Sequence, residues 1–115
     1  MKIQGIWTAI VTPFSSDSTI DWQAYEKIVK HQVHAKVDGI VVCGTTGETP
    51  TLSFDEKIQL FKKTRELCPS SINVMAGTGD NNTSHSIALS LEAKKAGANS
   101  LLVVTPPYNK PTTQG

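Results

Sequence analysis

Apolar residues in this chain follow two patterns that alternate along its length. Continuous runs at 3–12 (IQGIWTAIVT), 40–43 (IVVC), 72–76 (INVMA) and 101–105 (LLVVT) each stop at a glycine or a proline. Such runs read as short strands, and the 40–43 run as a strand buried on both faces. Between them the apolar positions recur at helical spacing. Tyr25, Ile28, Val29 and Val33 give a first helix one apolar face. Asp21 is its expected N-cap, with Ile20 placed to staple onto Tyr25, and its end is expected near Asp38 and Gly39. Ser53 and Glu56 have capping-box spacing for a second helix, with Phe54, Ile58 and Phe61 inward and Pro69 as its stop. A third helix is predicted from Asn82 or Thr83 through Ile87, Ala88, Leu91 and Ala96, with Gly97 as C′ residue.

The predicted order is βαβαβαβ, with a strand about every 30 residues, the length of one βαβ unit. Helices between strands force parallel pairing through right-handed crossovers, which makes the chain α/β. The segments rich in glycine and hydroxyls all follow strands, whereas the joins leading into strands are plain. In α/β folds ligands sit at the carboxyl ends of the strands, so this asymmetry points to a site there. No helix follows the fourth strand, and a four-stranded parallel sheet would leave two apolar edges unpaired. Residues 1–115 are therefore expected to be one segment, the first half of a (β/α)8 TIM barrel continuing beyond Gly115. The other architecture open at this point is a small stand-alone flavodoxin-like domain holding an anion at Gly44 to Gly47.

Composition narrows the function classes. A net charge of +1 and a pI near 7.8 recommend neither nucleic acid nor an anionic membrane as partner. No apolar run is long enough to span a bilayer, and the interrupted N-terminal stretch does not read as a signal peptide. Cys43 and Cys68 read as reduced, structural thiols of a cytoplasmic protein.

The candidate chemistry lies at 44–48 (GTTGE). Gly44 and Gly47 permit a tight turn, and Thr45 and Thr46 offer two hydroxyls and two amides at one point. That combination suits a small carboxylate or phosphate. Glu48 is expected to order the loop by hydrogen bonding to backbone. The 77–81 loop resembles a phosphate nest, but no Lys-Ser/Thr pair follows, which excludes a P-loop. Its expected work is backbone geometry and a subunit contact. His31 and His34 have a spacing that metal sites use, but no third ligand is nearby, so a solvated helix face is the reading and no metal is expected.

The loops together resemble the dihydrodipicolinate synthase family. The segments that carry the resemblance are 9–14 (AIVTPF), 44–48 (GTTGE), 76–79 (AGTG) and 105–111 (TPPYNKP), in the family's order and spacing. The resemblance covers the whole chain, which is similar to about the first two fifths of that enzyme. It implies a Schiff base between pyruvate and a barrel lysine, attack of the enamine on aspartate semialdehyde, and a place in lysine biosynthesis. It implies no cofactor beyond that covalent pyruvate, and a homotetramer built from tight dimers. By the same resemblance Thr45 would relay protons between two tyrosines, Thr46 would bind the pyruvate carboxylate, and Tyr108 would reach across the dimer interface into the neighbouring site. Another 2-keto acid aldolase of the N-acetylneuraminate lyase superfamily stays open as an alternative.

The chain also departs from the family. Pro107 stands where most members have a second tyrosine. The positions matching the family's lysine-feedback site are Pro50, Phe54, Lys57, Asn81, His85 and Pro107, and only Asn81 is the residue expected of a lysine-sensitive enzyme. Weak or absent lysine inhibition is the expectation. Lys2, Lys27, Lys30, Lys36, Lys57, Lys62, Lys63, Lys94, Lys95 and Lys110 all fall outside the apolar strands. A Schiff-base lysine must be partly desolvated to be neutral near pH 7. That lysine, the second relay tyrosine and the arginine for the aldehyde's carboxylate are expected beyond Gly115, and the 115 residues alone are expected to be inactive.

Overall fold

In the computed structural model, residues 1–106 and 111–114 are described. The elements are β1 (Trp7–Ala9), α1 (Trp22–His34), β2 (Gly39–Val42), a 3-10 turn (Thr49–Thr51), α2 (Phe54–Leu67), β3 (Asn73–Gly77), α3 (Thr83–Lys95) and β4 (Ser100–Leu102). The expected alternation is present, with shorter strands at both edges. Where 3–12 reads as one strand, only Trp7–Ala9 pairs with β2 as a strand, and the fourth ends at Leu102 rather than at 105. The first helix also stops early, at His34. Lys36 takes a left-handed φ of 58° just past the Ala35 cap, which turns the chain before Asp38. Gly39 is instead the first residue of β2, packed against the Trp7 ring.

The sheet order is β1-β2-β3-β4, parallel throughout, with Val41 level with Ala9 on one side and Met75 on the other. Right-handed crossovers between neighbours in chain order put every helix on the same face. A flavodoxin-like sheet reverses its order and carries helices on both faces. The sequential order rules that architecture out and gives the arc of a barrel. The helices cover one face of the sheet, and the other face is the one a barrel turns toward its axis. Ile40, Val42, Val74 and Ala76 are buried, while Val41 and Met75, which alternate with them, are only half-buried and Leu102 is exposed. Among the described residues no helix is long and apolar enough to cross a membrane.

Local chemistry sets the helix starts as predicted. Asp21 accepts from the Ala24 amide at 3.0 Å, and the Ser53–Glu56 capping box is complete at 3.1 and 2.8 Å. The core lies between sheet and helices: Tyr25 and Val29 of α1, Leu60 and Phe61 of α2, Leu89 and Ala93 of α3. Each large apolar side chain buried here stabilises the fold by roughly 1.5–3 kcal/mol. The inward stripe of α2 is thus Leu60, Phe61 and Thr64, with Phe54 and Ile58 only half-buried. Buried Thr64 is accommodated because its hydroxyl donates to the Leu60 carbonyl at 2.7 Å and meets the Tyr25 hydroxyl at 2.6 Å. In α3, Ile87 and Leu91 are exposed and line a groove beside Leu101 and Val103 of about 670 Å³.

Candidate functional site

Parallel strands in register bring the loops that follow them to one edge of the sheet. The Thr12 hydroxyl donates to the Gly47 carbonyl at 2.8 Å, joining the loop after β1 to the loop after β2. Gly77, at the end of β3, packs directly on the Cys43 carbonyl, where a Cβ could not fit. The Thr78 amide donates to the Leu102 carbonyl at 3.1 Å, joining the third and fourth loops. Tyr108 belongs to that fourth loop and lies outside the described residues, as do Pro107 and Lys110.

The 44–48 turn is closed by its own backbone. The Gly47 amide donates to the Gly44 carbonyl at 3.0 Å and the Glu48 amide to the Thr45 carbonyl at 3.0 Å. Thr45 and Thr46 are exposed at its tip, between buried Gly44 and Gly47. Among the described residues nothing accepts from either threonine amide, and neither hydroxyl has a partner, which leaves two N–H groups and two hydroxyls unpaired at an exposed tip. Such an arrangement holds a carboxylate without a buried cation.

The residues of this turn with a left-handed φ are Cys43 (59°) and Glu48 (57°). What Gly47 supplies is closeness, since a Cβ there would stand 3.2 Å from the Ile10 carbonyl and 3.3 Å from the Thr12 hydroxyl. Glu48 orders the loop through its main chain. Its carbonyl accepts from both the Thr51 amide (2.9 Å) and the Thr51 hydroxyl (2.8 Å), while its exposed carboxylate has no partner among the described residues.

The cysteines are buried and free. Burial pushes the Cys43 thiol up to about 12, which keeps it protonated and unreactive at neutral pH. Loop 77–81 is tied to α3 by side chains of that helix and its cap. Ser86 and Ser90 donate to the Thr78 carbonyl and hydroxyl at 2.7 and 2.8 Å, and Asn82 caps α3. His31 and His34 are exposed on α1. Every lysine among the described residues lies on a helix, just past one or at the N-terminus, and none is buried.

A second cleft of about 450 Å³ lies behind the turn, lined by Pro50, Phe54, Lys57, Asp80, Asn81 and His85 among others. The structure thus gathers five of the six positions matched to lysine feedback, and Pro107 lies outside the described residues. Phe54 and His85 stack on each other at 5.4 Å, and His85 Nδ1 is 3.3 Å from Asp80 Oδ2. The Asn82 amide, helped by His85, holds the Asp80 carboxyl below the usual carboxylate range. Thr12 lies in the 9–14 (AIVTPF) segment, but nothing in its spacing singled out its hydroxyl as a group that meets the 44–48 turn.

Four parallel strands in chain order, with helices on one face and a hydroxyl-bearing turn at the carboxyl edge, define part of a (β/α)8-barrel enzyme scaffold. Residues 2–115 match the family model described as the dihydrodipicolinate synthetase family, and the chain belongs to that family. It is 49% identical over 111 residues to the 4-hydroxy-tetrahydrodipicolinate synthase of Fervidobacterium nodosum, covering 96% of this chain and 38% of that protein. The protein of the same name from Synechococcus sp. is 48% identical over 110 residues, covering 96% and 36%. The crystal structure of a dihydrodipicolinate synthase from Bacillus anthracis superposes with a TM-score of 0.94 at 39% identity, covering 100% of this chain and 39% of that one. The chain thus spans a little over a third of the length of the relatives it matches, and its fold is a partial barrel.

Proposed function

We propose that this segment serves as the amino-terminal part of a Schiff-base lyase that condenses pyruvate with aspartate semialdehyde on the way to diaminopimelate and lysine. The observation that carries the reading is the exposed Thr45–Thr46 tip at the carboxyl edge of a family-matched partial barrel. Thr46 holds the pyruvate carboxylate with its amide and hydroxyl, a charge-assisted contact stronger than a neutral one. Thr45 carries the proton traffic, because a hydroxyl donates and accepts at once and relays without ionising. Tyr108 is its partner in that relay and reaches the site across a tight dimer; a phenol with a pKa near 10 is a poor base alone, so a hydrogen-bonded chain suits it. The amine that captures pyruvate comes from a lysine within the remainder of the barrel, and no other cofactor is needed.

Borohydride trapping tests this. The complete enzyme incubated with pyruvate and reductant should gain one covalent adduct, and residues 1–115 alone should gain none. A complete enzyme that gains no adduct refutes the aldolase reading, and an adduct on the short chain refutes the placement of the lysine.

A further inference from the structure

We infer that Thr12 is a positioning residue for the reaction, setting the Thr45–Thr46 tip at the angle that pyruvate requires. The inference rests on the reading of that tip as the carboxylate grip. Within the turn, the Gly44, Thr45 and Glu48 carbonyls are taken by amides of the turn and of the 3-10 helix behind it. The Gly47 carbonyl is taken instead by Thr12, from a different loop. The Gly47 carbonyl belongs to the Gly47–Glu48 peptide, so the bond anchors the base of the turn one peptide beyond Thr46.

Thr12 is itself held rigidly. It is only 4% exposed. On one side of it the Ile10 amide donates to the Val41 carbonyl at 3.2 Å. On the other, the Pro13 carbonyl accepts from Asp21 at 2.9 Å, and Phe14 bridges to Ile20. The hydroxyl therefore transmits the position of β1 and the head of α1 to the tip. The tip's own bonds set its shape; the Thr12 bond sets its tilt against the sheet. A carboxylate held by the Thr46 amide and hydroxyl depends on that tilt, because an error of about 1 Å at a substrate-binding group can lower the rate on the order of a hundredfold.

The test compares Thr12→Val, Thr12→Ser and Thr46→Ala in the complete enzyme, by steady-state kinetics on both substrates and by thermal melting. Thr12→Val should lower kcat/KM for pyruvate by roughly tenfold to a hundredfold through KM, leave KM for aspartate semialdehyde at its wild-type value, and be rescued by Thr12→Ser. A Thr12→Val enzyme that melts lower yet keeps wild-type pyruvate kinetics overturns the inference, since the hydroxyl would then only satisfy a buried carbonyl. A Thr12→Ser enzyme as impaired as Thr12→Val also overturns it. Should Thr12→Val fail to fold, Thr12→Ser decides alone, with wild-type pyruvate kinetics supporting the role and impaired kinetics refuting it. Thr46→Ala separates the two levels. If it leaves KM for pyruvate unchanged, the carboxylate grip fails and the positioning role falls with it. If it raises KM while Thr12→Val does not, only the positioning role falls.

Discussion

Gly77→Ala tests how far packing at the neck of the turn governs the position of its tip. Gly77 ends β3 with an ordinary backbone conformation, so no relief of left-handed strain is involved. A methyl there would overlap the Cys43 carbonyl oxygen and stand 3.1 Å from the Gly44 nitrogen. Both obstacles are backbone, and no side chain can swing aside. Carbon contacts settle near 3.5–4.0 Å, so either β3 or the neck of the turn must retreat by about 1 Å. Overpacking of this kind costs about 1–3 kcal/mol of stability. The same displacement, passed to Thr45 and Thr46, lowers kcat/KM for pyruvate by roughly a hundredfold.

Gly44→Ala is the matched control for stability, measured by urea unfolding alongside Gly77→Ala. A methyl on Gly44 would stand 3.6 Å from Val41 Cγ1 and 3.9 Å from Leu102 Cδ2, ordinary van der Waals contact. The unfolded chain loses freedom without native strain, so this variant should hold its stability or gain about 0.4–1 kcal/mol. The two glycines flank the same peptide contact and differ only in the space facing them. A Gly77→Ala enzyme with wild-type stability and pyruvate kinetics, or a Gly44→Ala variant that unfolds more easily than Gly77→Ala, would refute the packing argument.

Two further predictions concern the buried polar groups. Because the Thr64 hydroxyl donates to the Leu60 carbonyl, Tyr25 must be the donor in the 2.6 Å bond between them. Thr64→Val strands that phenol and should cost about 1–3 kcal/mol, while Tyr25→Phe with Thr64→Val should cost less than the sum of the two single changes; additive losses in urea unfolding would refute the coupling. The Cys43 thiol is raised from 9.0 to about 12 by burial, so the folded state keeps its proton after the unfolded chain has released it. Its contribution is complete below the unfolded value and falls as pH rises towards the folded one, by about 1.4 kcal/mol per pH unit, with raised Tyr25 adding to the loss at still higher pH. Cys43→Ala should therefore show a shallower loss of stability between about pH 9 and 12, and an unchanged slope would refute the assignment.

How legible the chain is depends on the range of the forces involved. The caps at Asp21 and Ser53 were readable because donor and acceptor lie three residues apart. The strand-helix alternation was readable because periodicity is local. The inward face of α3 was not. Of its large apolar residues Ile87, Leu89 and Leu91, only Leu89 is buried within residues 1–115, together with Ala93. The packing of α3 against α2 and the Ser86 and Ser90 bonds to Thr78 set its rotation, and these span 8 and 12 residues or more. Thr12 escaped for the same reason, its partner being 35 residues away. Of the proposed site, Thr45 and Thr46 were visible because the turn that displays them is short and flanked by glycine; what orients them was not.

The two ends of the sheet differ less in composition than the sequence implies, and more in whether their polar groups are already used. At the amino end Asp38 accepts from the Ile6 amide at 2.7 Å. Arg65 donates to Asn99 (2.7 Å) and to the carbonyls of Pro69 (2.8 Å) and Ile72 (2.9 Å), and Asn99 also accepts from the Val74 amide (2.8 Å). These side chains are spent on backbone. At the carboxyl end the Thr12 and Ser86 hydroxyls are spent on backbone, and Ser90 donates to the Thr78 hydroxyl, whereas the Thr45 and Thr46 amides are unspent among the described residues. A hydroxyl already satisfied by main chain costs energy to redirect, whereas one at an exposed tip exchanges water for ligand at little net cost. The distinction between a group that holds the site and a group proposed to bind at it is therefore one of prior hydrogen bonding rather than residue type, which is why four hydroxyl-bearing residues at one edge can be structural while two of the same kind remain open to a ligand.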